Sequence, residues 1–119
     1  MKTLSDPRHL KRIKLVQQLF SSAFQKTPDP SVSFIWEKLD EIDPVISQAA
    51  PEWPLEKLNP LDLAILRLAV FELLIDKQAP FKVIIDEAVE IAKGFGGSNS
   101  PAFVNGALGK IVEIHNLNT

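Results

Sequence analysis

Residues 59–76 read NPLDLAILRLAVFELLID, and their pattern sets the architecture of the whole chain. Asn59 is a capping side chain, Pro60 suits the first helical position, and Asp62 places a negative charge in the first turn. Together they mark a helix start. Of the residues from Leu61 to Ile75, twelve are apolar. A helix that is apolar nearly all round must be covered on every side, so this one belongs at the centre of a bundle. Arg67 and Glu72 interrupt it and lie about 140° apart, so they face different neighbours. A charge in such a helix is paired or stands at an opening to solvent. Glu87 is the partner expected for Arg67. Glu72 is expected to reach the surface and touch a protein partner.

On the C-terminal side, Gln78-Ala79-Pro80 separates the central helix from another over about Lys82 to Lys93. Val83, Ile84, Ala88, Ile91 and Ala92 build its buried face. Gly94-Phe95-Gly96-Gly97 ends it, with glycine expected in the left-handed conformation. Ser98-Asn99-Ser100-Pro101 then offers caps for a last helix through about Leu117. On the N-terminal side, Pro51-Glu52-Trp53-Pro54 is a break. Short helices are expected over Asp43 to Ala49, with Asp43-Pro44 as cap and first turn, and over Ser31 to Leu39. Thr27-Pro28-Asp29-Pro30 stops a long first helix that opens at Ser5-Asp6-Pro7 and runs to about Lys26. No stretch shows the sustained period-two alternation of strands. The fold class is all-α: residues 1–119 form one compact domain of five or six helices.

Composition agrees. A chain of 119 residues with 45% hydrophobic and 24% charged residues can bury one core. Zero cysteines exclude disulfides, thiolate nucleophiles and cysteine-zinc sites. No apolar run approaches the ~18 residues that cross a bilayer, and the N-terminus lacks the apolar stretch of a signal peptide, so a cytoplasmic location without membrane contact is expected. The net charge of −2 is unevenly spread. Residues 1–26 carry Lys2, Arg8, Lys11, Arg12, Lys14 and Lys26 against Asp6 alone, residues 27–76 hold ten acids and three bases, and the remainder balances. A basic end on an acidic protein points to a local anionic partner, or to a merely solvated basic helix.

Catalytic signatures are weak. His9 and His115 sit near opposite ends of the chain, without ligand spacing, and read as exposed helical residues rather than metal ligands. No metal or cofactor is expected. Gly94-x-Gly96-Gly97 follows a helix, whereas a dinucleotide fingerprint follows a strand. The loop does lead into a helix N-terminus, where an anion is favoured, although Ser98 or Ser100 would cap the same position.

Angles along the first helix sharpen the charge argument. At 100° per residue from Leu10, the residues Ile13, Val16, Phe20, Ala23 and Phe24 fall between about 220° and 320°, an apolar face. Arg8, Lys11, Lys14, Gln18 and Ser22 fall between about 40° and 160°, a polar face, with Arg12 at the edge of the buried arc. Lys11, Lys14 and Gln18 therefore stack as one stripe that would present cations and a hydrogen-bonding amide to a phosphate backbone. Gln17 and Phe20 lie nearer the buried side.

Several runs carry a family resemblance. They are Ile65-Leu66-Arg67-Leu68-Ala69, Phe71-Glu72-Leu73, Asp86-Glu87-Ala88-Val89-Glu90-Ile91-Ala92-Lys93 and Phe103-Val104-Asn105-Gly106. In order and spacing they resemble the NusB family of bacterial transcription antitermination factors over about residues 42–114. Arg12 and Val16-Gln17-Gln18-Leu19-Phe20 fit that family more loosely. The resemblance implies two small helical bundles. It also implies binding of single-stranded boxA-type RNA from ribosomal RNA leaders, with a small ribosomal-subunit protein (NusE) as partner and RNA polymerase joined in an antitermination complex. By position, it nominates Arg8, Lys11, Arg12, Gln17, Phe20, Asn99 and Phe103 for RNA. To these the stripe adds Lys14 and Gln18, and Glu72 is assigned to the protein partner.

The departures are also informative. Between Phe24 and Trp53 the chain is roughly twenty residues shorter than the family's usual length, which implies a missing or shrunken helix in the N-terminal bundle. His9, Leu10 and Lys11 stand where the family often has arginine or alanine, and Gly109 where it often has aspartate. The expected function is non-enzymatic antitermination. The rivals are a protein scaffold that has lost RNA binding, and an RNA-targeting domain of the kind attached to rRNA methyltransferases, which is disfavoured on the expectation that no catalytic domain follows Thr119. Some members of the family are dimers, which leaves a homodimer open.

Overall fold

A computed structural model describes residues 6–118. Lys2, counted with the basic end, and Ser5, part of the first helix-start signal, lie outside that range. The order is α1 (Pro7–Gln25), a 3-10 turn (Pro30–Val32), the single-turn α2 (Ser33–Trp36), α3 (Leu39–Ala49), a second 3-10 turn (Leu55–Lys57), α4 (Pro60–Val70), a π-helical continuation (Phe71–Asp76), α5 (Phe81–Phe95) and α6 (Ser100–Ile114). The fold is all-α, with six α-helices and no strand among the described residues.

The central helix is where its composition demands. α4 packs against α1, α3, α5 and α6. It buries Ala64, Ile65, Leu66, Leu68, Ala69 and Val70, and Leu73 follows in the π-helical turn. Asn59 Oδ1 accepts from the backbone N–H of Leu61 (2.9 Å) and Asp62 (3.2 Å), as its capping role requires. One core runs through the molecule, from Val16 and Leu19 of α1 through Ile35, Ile42 and Ile46 to Leu108 and Ile111 of α6. Each such fully buried large side chain contributes roughly 1.5–3 kcal/mol.

Several local expectations are corrected. Pro44 does not open a helix. It lies inside α3, which starts at Leu39 with Asp40 and Glu41 in its first turn. Burial of Ile42 and Ile46, one helical turn apart, holds the helix together across the proline. The expected helix from Ser31 to Leu39 is broken into a 3-10 turn and one α-turn. Asp29 starts it: its Oδ1 accepts from Ser31 N–H at 2.9 Å and Ser31 Oγ at 2.6 Å.

The glycine loop also differs. Among the described residues no glycine has a positive φ; α5 ends at Gly96, with φ −93° and ψ −175°. Glycine is required there by proximity. A Cβ on Gly96 would lie 2.6 Å from Ser100 Cβ and 2.8 Å from the Ala92 carbonyl oxygen. The left-handed helix ends belong instead to Lys26 and Lys77, each with φ 57°, and to Asn116 with φ 55°. Val83, expected in the core, is 41% exposed.

Candidate nucleic-acid interface

α1 presents the basic face, and the way it is seated decides which cations are available. Its start is fixed by Asp6, whose Oδ1 accepts from Arg8 N–H at 2.9 Å. That hydrogen bond, more than the nearby Arg8 charge, holds the Asp6 carboxyl below its ordinary range. The buried side of α1 carries Val16 and Leu19, and also three polar residues, His9, Arg12 and Ser22. Measured by angle, this arc is rotated roughly 70° from the one expected from hydrophobicity alone.

Partners explain the rotation. Arg12 donates to both carboxylate oxygens of Glu72, Nε at 2.9 Å and Nη2 at 2.7 Å, and to Glu87 through Nη1 at 3.1 Å. Hydrogen bonds to Glu72 push its pKa further above the ordinary arginine value. His9 Nδ1 lies 3.0 Å from Glu87 Oε1, with both side chains almost fully buried. Ser22 Oγ accepts from Asp29 N–H at 2.9 Å. Buried polar groups of this kind persist only when satisfied.

The expected site residues divide accordingly. Arg8, Lys11 and Lys14 are exposed, and the Arg8 side chain is 85% accessible. Arg12 is turned inward, its side chain 14% exposed and committed to two carboxylates. Glu72, expected at the surface, is instead the bidentate acceptor for Arg12. Arg67 pairs with Asp43 (3.0 and 2.9 Å), not Glu87, and lies 5.8 Å from the centre of the Trp36 ring. Arg67 and Glu72 do face different neighbours, as their angle requires. His9 is buried, not exposed, because Glu87 supplies a partner.

The two glutamines exchange roles: Gln17 is exposed and Gln18 half-buried. The outer stripe is therefore Leu10, Lys14, Gln17 and Phe24, with Lys11 and Arg8 beside it. Phe24, expected in the core, is 71% exposed. It meets half-buried Phe20 edge-on, with ring centroids 5.4 Å apart. At the far end of the chain, Asn99 is exposed at the start of α6, and Phe103 packs partly into the core. α6 packs mainly on α5, α4 and α3, and α1 on α4 and the first 3-10 turn, so these two halves of the expected RNA set are joined through α4. Ser100, not Ser98, closes the α5–α6 loop, its Oγ accepting from Gly97 N–H at 3.0 Å.

No group of three or more metal-ligating side chains occurs among the described residues, and no helix there is long and apolar enough to cross a membrane. Sequence reasoning missed the His9–Glu87 contact, whose signal was weak: two single polar residues seventy-eight positions apart along the chain.

Fold and surface together define a small all-helical domain that presents a short row of cations and amides on its first helix. A model of the NusB family matches residues 7–113, and the chain belongs to that family. The transcription antitermination protein NusB of Roseiflexus castenholzii is 52% identical over 79 residues, covering 65% of this chain and 56% of that protein. Its counterpart in Thermotoga maritima is 48% identical over 81 residues, 68% of this chain and 57% of that protein. The chain thus spans between half and two thirds of the curated relatives it matches. A solved structure of T. maritima NusB superimposes with a TM-score of 0.78 and 36% identity, covering 95% of this chain and 93% of that one.

Proposed function

We propose that this protein is a non-enzymatic transcription antitermination factor of the cytoplasm. It binds boxA-type single-stranded RNA together with a small ribosomal-subunit protein (NusE), and brings both to RNA polymerase. The observation that carries the reading is the exposed row Arg8, Lys11, Lys14 and Gln17 on α1 of a NusB-family chain. Cations there answer phosphates, and the amide offers hydrogen bonds to bases or sugar. Asn99 and Phe103 supply a second contact zone beyond α5. Phe20 is the aromatic on which a base would stack, through the part of its ring that the core leaves open. Arg12 and Glu72 act indirectly, by seating α1. A protein scaffold with little RNA affinity is the second reading, favoured by the withdrawal of Arg12 into its ion pairs.

The experiment is anisotropy binding of a boxA-type RNA and a scrambled control over a salt series, with and without the ribosomal protein. Lys11→Ala with Lys14→Ala removes cations without touching the core. Single-strand binding loses about 0.7 in logarithmic salt slope per phosphate contact, so this double variant should lower the slope by about 1.4 and weaken RNA binding. Equal affinity for both RNAs, unchanged in the variant while the ribosomal protein is still captured, would establish the scaffold reading instead.

A further inference from the structure

From Pro7 to Pro28 the chain holds no acidic residue, so α1 is of one sign over its whole length. Its outward cations Arg8, Lys11 and Lys14 are followed by exposed Lys26, which ends the helix in the left-handed conformation. The carboxylates that meet its inner side, Glu72 and Glu87, are bonded to Arg12. Asp29, the next acid along the chain, has its Oδ1 committed to the Ser31 N–H and hydroxyl. A face of this kind selects a polyanion over a polypeptide of mixed charge.

On that face stands Phe24, at 71% the most exposed large apolar side chain among the described residues. At 100° per residue, Lys14, Gln17, Ser21 and Phe24 lie within about 80° of one another, so the ring continues the row. From Lys11 to Phe24 the helix rises about 20 Å, room for several nucleotides of an extended strand. Phe20 packs against the core and meets Phe24 with ring planes at 76°. It therefore covers at most one face of the Phe24 ring and leaves another toward solvent. A ring held in this way loses little freedom when it meets a ligand. An isolated exposed phenylalanine is ordinary, whereas an aromatic set in a track of cations is how single-stranded nucleic acid is bound. We propose that Phe24 stacks an unpaired base and that Lys26 contacts a phosphate beyond it, so that a single strand follows α1 to its C-terminal end. This rests on the RNA reading and carries that surface past Phe20.

The test is anisotropy binding of the boxA-type RNA to the full chain over the same salt series. Phe24→Ala should weaken binding about fivefold or more, with the salt slope unchanged because no charge is lost. Phe24→Leu keeps an apolar side chain beside Phe20 but has no ring, and should lose as much. Phe24→Trp should bind at least as tightly as the unaltered chain. Lys26→Ala should lower the slope by about 0.7. Full affinity in Phe24→Leu, with loss only in Phe24→Ala, would reduce the ring to packing on Phe20 and overturn the proposal. Unchanged affinity in Phe24→Ala, where Lys11→Ala with Lys14→Ala loses it, overturns this proposal alone and keeps the RNA reading. Unchanged affinity in both sinks the RNA reading and this proposal with it. A Phe24→Ala variant that keeps RNA but no longer captures the ribosomal protein also overturns it, and assigns the ring to a protein contact.

Discussion

α4 and α1 lie against each other, yet they are buried by different means. α4 is enclosed through shape and hydrophobicity, with Ile65, Leu66 and Val70 almost wholly inaccessible. α1 adds to Val16 and Leu19 a polar set, His9, Arg12 and Ser22, each tied to a partner on another element. Apolar burial degrades gradually, because trimming a side chain removes contacts in proportion to its size. Polar burial fails abruptly, because losing one partner strands the other in a poorly solvated site. The burial of α4 is therefore robust, whereas the seating of α1 is brittle wherever it depends on Glu72, Glu87 and Asp29.

Arg12→Ala breaks the brittle side and should have the largest effect. It leaves Glu72 and Glu87, with side chains 12% and 5% exposed, without their guanidinium. Removing one member of a buried charge cluster costs about 3–5 kcal/mol, a large part of a small domain's stability. Urea denaturation should show it as a lower midpoint. A quadruple variant with His9→Leu, Arg12→Met, Glu72→Leu and Glu87→Leu, which replaces the whole buried cluster including the His9–Glu87 contact, should recover much of the loss, since apolar residues of similar size commonly replace buried charges at little cost. If the quadruple variant is no more stable than Arg12→Ala, the ion pairs are not what seats α1.

Gly96→Ala probes the other packing of α5, against α6. The new methyl would meet Ser100 Cβ at 2.6 Å and the Ala92 carbonyl oxygen at 2.8 Å, and one of those contacts is backbone. Overpacking of this kind costs about 1–3 kcal/mol. Thermal melting checks it. An unchanged midpoint would mean that the α5–α6 loop shifts freely.

The contrast between α4 and α1 also accounts for how much the sequence discloses. The fold class, the central helix and the Asn59 cap were legible because local signals determine them: hydrophobic density, a capping amide, a proline at the first turn. The buried face of α1 was not. Reading it requires knowing that Glu72 and Glu87, sixty and seventy-five residues away, wait for Arg12. The pairing of Arg67 with Asp43 was hidden for the same reason, because Asp43 looked like a helix cap beside Pro44. At the site, the cations at positions 8, 11 and 14 were legible from spacing. The identity of the outward-facing glutamine was not, since it depends on the rotation that those ion pairs impose.

Gly106 and Gly109 sit within α6, exposed, and a Cβ at either position meets open space. Glycine within a helix is destabilising by roughly 0.5–1 kcal/mol relative to alanine. Gly106→Ala and Gly109→Ala should each raise the melting temperature by a corresponding small amount. Their sum should be additive, because neither touches the other helices. This sharpens the contrast with Gly96, where the same substitution has the opposite sign.

The smallest effect separates α1 from α4 at their first turns. α1 is capped by a carboxylate, Asp6, and α4 by an amide, Asn59. The Asp6 carboxyl is held below its ordinary value of 3.8, chiefly by the N–H of Arg8. A group whose folded value is depressed contributes its stabilisation above the unfolded value and loses it as the pH falls through the folded one. Acidification from pH 5 should therefore leave the first turn of α1 intact until the pH drops below about 3.8, and then release the Arg8 amide. The Leu61 amide, held at 2.9 Å by Asn59, has no titrating acceptor and should keep its bond over the same range. Amide proton shifts followed by NMR distinguish the two. Loss of both at the same pH would indicate global acid unfolding, whereas loss at Arg8 alone isolates the cap that orients the cation row.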